Sequence, residues 1–328
     1  MITMEQLSFG VEVEVGAQTR EAVARAVQSV VGGTIRHMGG PPYDPWHITA
    51  ADGREWRVVA DSSLAAYPPD QRAEVVSPIL AWDDLSTVQA VVRALRRIHC
   101  EVGPLNGLHV HVGAEHFTGK TLAILAKQVY ANEDLIFHAF AVSEERKVRY
   151  TKSLDPAFIA RLVRRKPVTR EAFFQCWYNA KQYQPTRYHA SRYHLLNLNS
   201  AALPRNTIEF RAYTPEGLHA GKIKAAIVFS LALCARALNS RAASAKKKVY
   251  DPASAKYDFR VALILALKLS GPEHRHTRRH LMARMPGDAA FKHTSRPSTS
   301  SVKKAEAASE ADALLATPQT GGRFHDTA

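Results

Sequence analysis

The sequence predicts an α+β fold in which helices cover an antiparallel or mixed sheet. Three observations carry that expectation. Short runs alternating apolar and polar residues recur at 9–16, 72–80, 107–113 and 207–213, the period-two pattern of half-buried strands. Longer runs with apolar residues at helical spacing lie at 19–31, 85–99, 120–140 and 219–239. Strand-like runs also follow one another without a helix between them at 33–61 and 191–213, which favours antiparallel or mixed pairing.

Each element has local signals. "FGVEVEVG" opens the series, and the helix over 19–31 stops at Gly32-Gly33. Asp52-Gly53 marks a hairpin within 33–61. "RAEVVSPIL" is closed by Pro78, and Asp83 or Asp84 is placed to cap the next helix. "GLHVHVG" lies between glycines, and Thr118 caps the helix that follows. Residues 143–186 read as polar, helical and irregular. "SRYHLLNLNS" and "TIEFRAY" read as two strands, 219–239 as an apolar helix, and 255–285 as helical. From about 293 onward the chain has almost nothing to bury, so 293–328 is predicted to be a disordered basic and polar tail.

The chain has 328 residues, 46% of them hydrophobic, enough for one large core or two modest ones. The most apolar stretch, "AAIVFSLALCA", is bounded by Lys224 and Arg236 and is too short to span a bilayer. The start lacks a basic region followed by an apolar one, so no secretory signal is expected. Cys100, Cys176 and Cys234 have no metal-ligand spacing and read as reduced thiols of a cytoplasmic protein. Residues 1–145 hold 11 Lys and Arg against 18 Asp and Glu, a net of −7, whereas 146–328 hold 33 against 12, a net of +21. Few aromatics separate the basic residues of the second part, which favours solvated helix faces over a base-stacking groove. "GAEHFTGKT" has five residues between Gly113 and Gly119 where a phosphate loop needs four. "HRHTRRH" has arginines interleaved with its histidines, a poor metal site.

Side-chain alternation gathers the polar groups on one side of these strands. Phe9, Val11, Val13 and Val15 share one face, and Glu12 and Glu14 the other. Likewise His109 and His111 oppose Leu108, Val110 and Val112, while Glu209 and Arg211 oppose Ile208 and Phe210. Glu74 lies between Ala73 and Val75. Taken singly, each pattern is commonly a solvated face, a satisfied histidine pair or a salt bridge. Together, carboxylates, imidazoles and an arginine on one sheet face suit divalent cations and phosphate. Neighbouring carboxylates tolerate each other when cations lie between them.

In chain order, "FGVEVEV", Trp56 with Asp61, Ser63 and Leu64, "AEVVSPIL", "GLHVHVG", "RYHLLNLNS" and "TIEFR" resemble the amidoligase family. Its members are carboxylate–amine ligases related to glutamine synthetase and glutamate–cysteine ligase. With "RHLMARMPGDAAF" included, the resemblance spans roughly 7–292, implying a catalytic domain over 1–292. It implies a curved, mainly antiparallel sheet with helices on its outer side and ATP with Mg²⁺ on the concave face. By resemblance, Glu14 and Glu74 are ligands of the metal nearer the amide-forming side, with Asp61 a candidate to join them. Glu12, His109 and Glu209 match ligands of the metal that bridges the phosphates. Arg211 matches the arginine that steadies the transferred phosphoryl group, and His111 a histidine near nucleotide or substrate. Arg192, Tyr193, Asn197 and Asn199 are further nucleotide- or substrate-binding candidates. Arg146, Arg149 and Lys152 are candidates to meet phosphate or an acidic substrate.

The implied reaction is ATP- and Mg²⁺-dependent amide or isopeptide formation through an acyl phosphate. Its substrates are a carboxylate and an amine, free or within a peptide or protein. No counterpart of an ammonia-binding flap is recognisable, and no residue stands out as the general base. Relatives of glutamine synthetase often assemble, so an oligomer is compatible with the reading. Two other functions fit parts of the sequence. A metal-dependent hydrolase would use the same Glu/His cluster without ATP, and a basic nucleic-acid-binding protein would use the C-terminal charge.

Overall fold

Eight strands join in one open sheet in the computed structural model, which describes residues 1–292. The tail expected over 293–328 lies outside the described residues. The strands are β1 (Phe9–Val15), β2 (Thr34–His37), β3 (Trp46–Thr49), β4 (Glu55–Val59), β5 (Ala73–Val76), β6 (Leu108–Gly113), β7 (Leu196–Asn197) and β8 (Thr207–Tyr213). Their order is β2-β3-β4-β5-β1-β6-β8-β7, and every pairing among them is antiparallel. The longest strands, β1 and β8, flank β6 and place the richest alternation at the middle of the sheet. The hairpin between β3 and β4 turns through Gly53 at φ +83°, a conformation that favours glycine.

One face of the sheet is the core. Val11, Val13, Val110, Val112 and Ile208 are almost fully buried there. Against that side pack α1 (Arg20–Val31) and α7 (Ala220–Asn239), with α2 (Leu85–Arg97) packed on both. Helices α3 (Gly119–Ala139), α4 (Glu144–Arg149), α5 (Pro156–Arg165) and α6 (Arg170–Tyr178) occupy the middle of the chain. The side chains of Thr118, Ser143, Asp155 and Thr169 cap α3 to α6 by accepting backbone N–H groups. Those caps explain how a polar stretch resolves into three short helices.

Two expectations for the other elements change. Asp84 precedes α2 without capping it; its carboxylate instead accepts the Ala81 N–H at 2.8 Å and pairs with Arg54. The helix expected over 255–285 breaks into α8 (Ala255–Val261), a π turn at Ala262–Ala266 and α9 (Arg275–Met282). Lys268 in the left-handed region and the Gly271-Pro272 pair interrupt it. Among the described residues, no helix is long and apolar enough to cross a membrane.

Candidate active site

The opposite face of the sheet collects the charged residues because register aligns them across strands. Glu14 stands opposite Glu74 on β5, Glu12 opposite His109 on β6, and His111 opposite Glu209 on β8. Asn197 on β7 pairs with Glu209. Directly opposed residues lie about 4.5–5.5 Å apart at Cα, so side chains on a common face must interact. They form three overlapping groups, Glu14–Asp61–Glu74, Glu12–Glu74–His109 and Glu12–His111–Glu209, and within each the oxygen or nitrogen atoms lie within 4.8 Å of one another. Glu74 and Glu12 each belong to two groups. Asp61 comes from the segment after β4, where its Oδ1 accepts the Ser63 N–H at 2.7 Å.

Local contacts set the charge states. His109 Nδ1 is 3.1 Å from Glu12 and 3.8 Å from Glu209, and its Nε2 is 3.7 Å from Glu14. Burial acts to raise the Glu12 pKa, yet His111 and His109 outweigh it and hold this carboxyl well below its usual range. Burial likewise opposes ionisation of Glu209, and the Arg211 guanidinium with both histidines outweighs it. Arg211 Nη1 donates to Glu209 Oε1, while Asn197 Nδ2 at 2.6 Å and Ser200 Oγ at 3.1 Å donate to Oε2. The other end of the row is undercompensated. Burial, then Glu12, Asp61 and Glu14, raise the Glu74 pKa well above the ordinary value. Burial and Asp61 also raise Glu14, although His109, the Gly107 N–H and Arg146 pull the other way.

This donor set fits divalent cations of the Mg²⁺ kind, which take carboxylate oxygen. Crowded carboxylates with raised pKa values lack positive charge, and His111 Nε2 is buried without a hydrogen-bond partner, 3.4 Å from Glu12. Each group offers two or three carboxylates, and the imidazoles can complete two of the three.

Around this floor lies a cavity of about 880 Å³, within the ~300–1,000 Å³ range of small-molecule sites. Arg57, Arg146, Arg187, Arg192, Arg205 and Arg211 line it together with the five carboxylates. Arg205 Nη1 is 3.6 Å from Glu12, and Arg192 lies against the rings of Tyr188 and Tyr193. Tyr43 and Tyr188 share a 2.7 Å hydroxyl hydrogen bond. Arg146 is fully buried, and burial lowers its pKa to about 10. Its terminal nitrogens donate to the carbonyls of Tyr213 at 2.6 Å and Arg211 at 3.0 Å, bracing β8 where its register with β6 shifts.

The cavity therefore brings together Glu12, Glu14, Glu74, His109, His111, Glu209, Arg211, Arg192, Tyr193, Asn197 and Arg146. Asn199, Arg149 and Lys152 do not line it. Asn199 accepts from the Tyr178 hydroxyl at 2.6 Å and donates to the Thr186 carbonyl at 3.0 Å. Strand alternation misplaces it because β7 is two residues long and a 3₁₀ turn begins at Asn199. Arg149 pairs with Glu145 at 3.2 Å, and Lys152 is exposed. Arg57, Arg187 and Arg205 are additions. Arg57 sits between buried Trp56 and Val58, so alternation within "EWRVV" signals it, whereas the two loop arginines have no local signature.

The family model described as "Putative amidoligase enzyme" matches residues 5–234. No curated protein matches the chain. Among solved structures, a bifunctional glutathione synthetase from Pasteurella multocida is similar at 13% identity and a TM-score of 0.42, with 94% of this chain and 50% of that one covered. The chain thus spans half the length of that structure. The family match covers most of the sequence and every strand of the sheet, and the chain belongs to the amidoligase family.

Proposed function

We propose that the cavity joins a carboxylate to an amine in an ATP- and Mg²⁺-dependent reaction, extending the ligase-type activity that family membership brings. One observation carries the reading: three carboxylate-rich groups share Glu12 and Glu74 on the floor of a cavity walled by six arginines. That is a surface for cations facing a surface for anions.

Glu14, Asp61 and Glu74 would hold one cation, and Glu12 with Glu74, His109, His111 and Glu209 the others. Bound Mg²⁺ would neutralise and polarise phosphate oxygens. A substrate carboxylate oxygen attacks the γ-phosphorus of ATP, the bond to the ADP oxygen breaks, and an acyl phosphate forms. The amine lone pair then attacks the acyl carbon, phosphate leaves with the C–O electron pair, and the amine proton is lost to a base that is unassigned. The protein's own work is positioning and charge compensation. Arg211 is fixed through Nη1 to Glu209 and through Nε to the Tyr150 carbonyl at 3.3 Å. Its Nη2 has no hydrogen-bond partner among the described residues and is the arm offered to a phosphoryl oxygen. Asn197 and Ser200 orient Glu209. Arg57, Arg187, Arg192 and Arg205 supply charge for the phosphate chain or an acidic substrate.

The test is incubation with ATP, Mg²⁺, pooled carboxylates and hydroxylamine, which intercepts an acyl phosphate as a hydroxamate. ATP-dependent hydroxamate and ADP are expected. No hydroxamate under these conditions, with carboxylate released from pooled amides and peptides whether or not ATP is present, would favour a metal-dependent hydrolase built on the same His109-x-His111 and carboxylate cluster.

A further inference from the structure

A second cavity of about 390 Å³ lies in the outer helical layer, where α2, α7 and α9 meet. It shares no lining residue with the carboxylate cavity. Each helix contributes cationic or imidazole groups. Arg93 and Arg96 are three apart on α2, Lys224 lies in the first turns of α7, and His276 and His280 are four apart on α9. Those spacings put each pair on one helix face. Glu273 is the only carboxylate in the lining, and its Oε1 lies 3.5 Å from His274 Nε2. Arg93, Arg96 and Lys224 have no carboxylate partner among the described residues.

From this convergence we infer that the outer cavity binds a small ligand carrying two or more phosphates. Arginine forks match phosphate oxygens in geometry and charge, and the volume admits a short phosphate chain. The backbone N–H groups opening α7 are not the basis. His219 Nδ1 already accepts those of Gly221 at 3.1 Å and Lys222 at 3.3 Å. The same ring packs edge-on against His280, with centroids 4.9 Å apart. Burial first, then the neighbouring His219, Lys222, Arg279 and His276, hold the His280 pKa below its usual value. A multivalent anion would relieve the repulsion among these groups. The inference does not depend on the ligase reading, because the two cavities lie on opposite faces of the sheet.

The experiment is calorimetric titration of the full chain, without metal, with tripolyphosphate. Three proteins are compared: wild type, Arg93→Glu with Lys224→Glu, and Arg57→Gln with Arg205→Gln in the other cavity. The outer pair is exposed or half-buried, and matching thermal melts establish that its variant is folded. The expected result is a roughly tenfold or greater loss of affinity in the outer variant, as charge-assisted bonds are removed, and retention in the inner one. A milder Arg96→Gln variant should fall between. Repeating the titration with ATP in the Arg57→Gln, Arg205→Gln protein, whose carboxylate cavity is weakened for phosphate, separates the sources. Equal affinity means that the phosphate chain alone is read, and tighter binding means that a nucleoside is read with it. Wild-type affinity in the outer variant overturns the proposal. So does loss confined to the inner variant, or capture of a short DNA duplex by a wild type that ignores tripolyphosphate.

Discussion

Replacing Glu74 by Gln should move stability in opposite directions with and without magnesium. Glu74 belongs to two of the three carboxylate groups. A ligand bound only by the native state stabilises it by about 2.7 kcal/mol at a hundredfold excess over its Kd. Three loaded groups therefore give about 8 kcal/mol, of which the substitution removes roughly two thirds. A melting temperature responds by about 2 °C per kcal/mol in a chain of this size. The magnesium-induced shift should thus fall from about 16 °C to about 5 °C. Without metal the sign reverses. A carboxyl whose folded pKa is raised stays protonated after the unfolded chain has ionised, so stability falls as pH climbs between the two values. The penalty is complete above the folded pKa, at about 1.4 kcal/mol for each unit of displacement. Burial together with Glu12, Asp61 and Glu14 raises Glu74 in this way, so Gln should melt higher than wild type in EDTA at pH 8. Scanning calorimetry in EDTA and in saturating MgCl₂ reads both effects, with exposed Glu145→Gln as control. An unreduced magnesium shift in Glu74→Gln, or a lower melting point in EDTA, would refute the reasoning.

Glu209→Gln and Arg211→Ala should each abolish hydroxamate formation while far-UV circular dichroism stays native; full turnover in either would make the pair structural. Arg211→Ala strands a buried carboxylate and should lower stability by about 3–5 kcal/mol in urea melts, moderated by Asn197 and Ser200, whereas Gln at 209 keeps an acceptor for Arg211 and should cost less. A Cβ at Gly107 would sit 2.7 Å from His109 Nε2 and 3.0 Å from Glu14 Oε1. Gly107→Ala should therefore cost about 1–3 kcal/mol in stability and weaken magnesium binding measured by titration calorimetry; unchanged affinity would show that the metal does not use these groups. Because Glu14 and Glu74 have raised pKa values, magnesium should displace protons and bind more tightly as pH rises. Binding heats in buffers of different ionisation enthalpy count those protons, and identical heats would contradict the charge states.

How much was legible depended on whether strand alternation held. It held over β1, β6 and β8, where one buried apolar face forces the intervening Glu12, Glu14, His109, His111 and Glu209 to the other side. It failed after Asn197, where the chain turns after two paired residues and carries Asn199 away from the cavity. The helix caps show the same dependence on context. Thr118 caps as its sequence suggests, but Asp84 is drawn off by Arg54, thirty residues away. Arg187 and Arg205 were illegible because loop residues reach a site through tertiary packing, which leaves no period in the sequence. Arg57 is legible by the same rule, because apolar neighbours sort it as they sort Glu12.

The shared carboxylates Glu12 and Glu74 have a consequence for variation among related proteins. Neighbouring groups are anchored on hydrogen-bonded strands, whose separation of about 4.7–4.9 Å is fixed by the peptide backbone. The pitch of any row of ions held there would be inherited from the sheet, while three of the six surrounding arginines, Arg187, Arg192 and Arg205, sit on turns and loops that can lengthen or shift. On the proposed reading, substrate preference can drift through those segments without disturbing the ruler on which phosphate chemistry would be laid out.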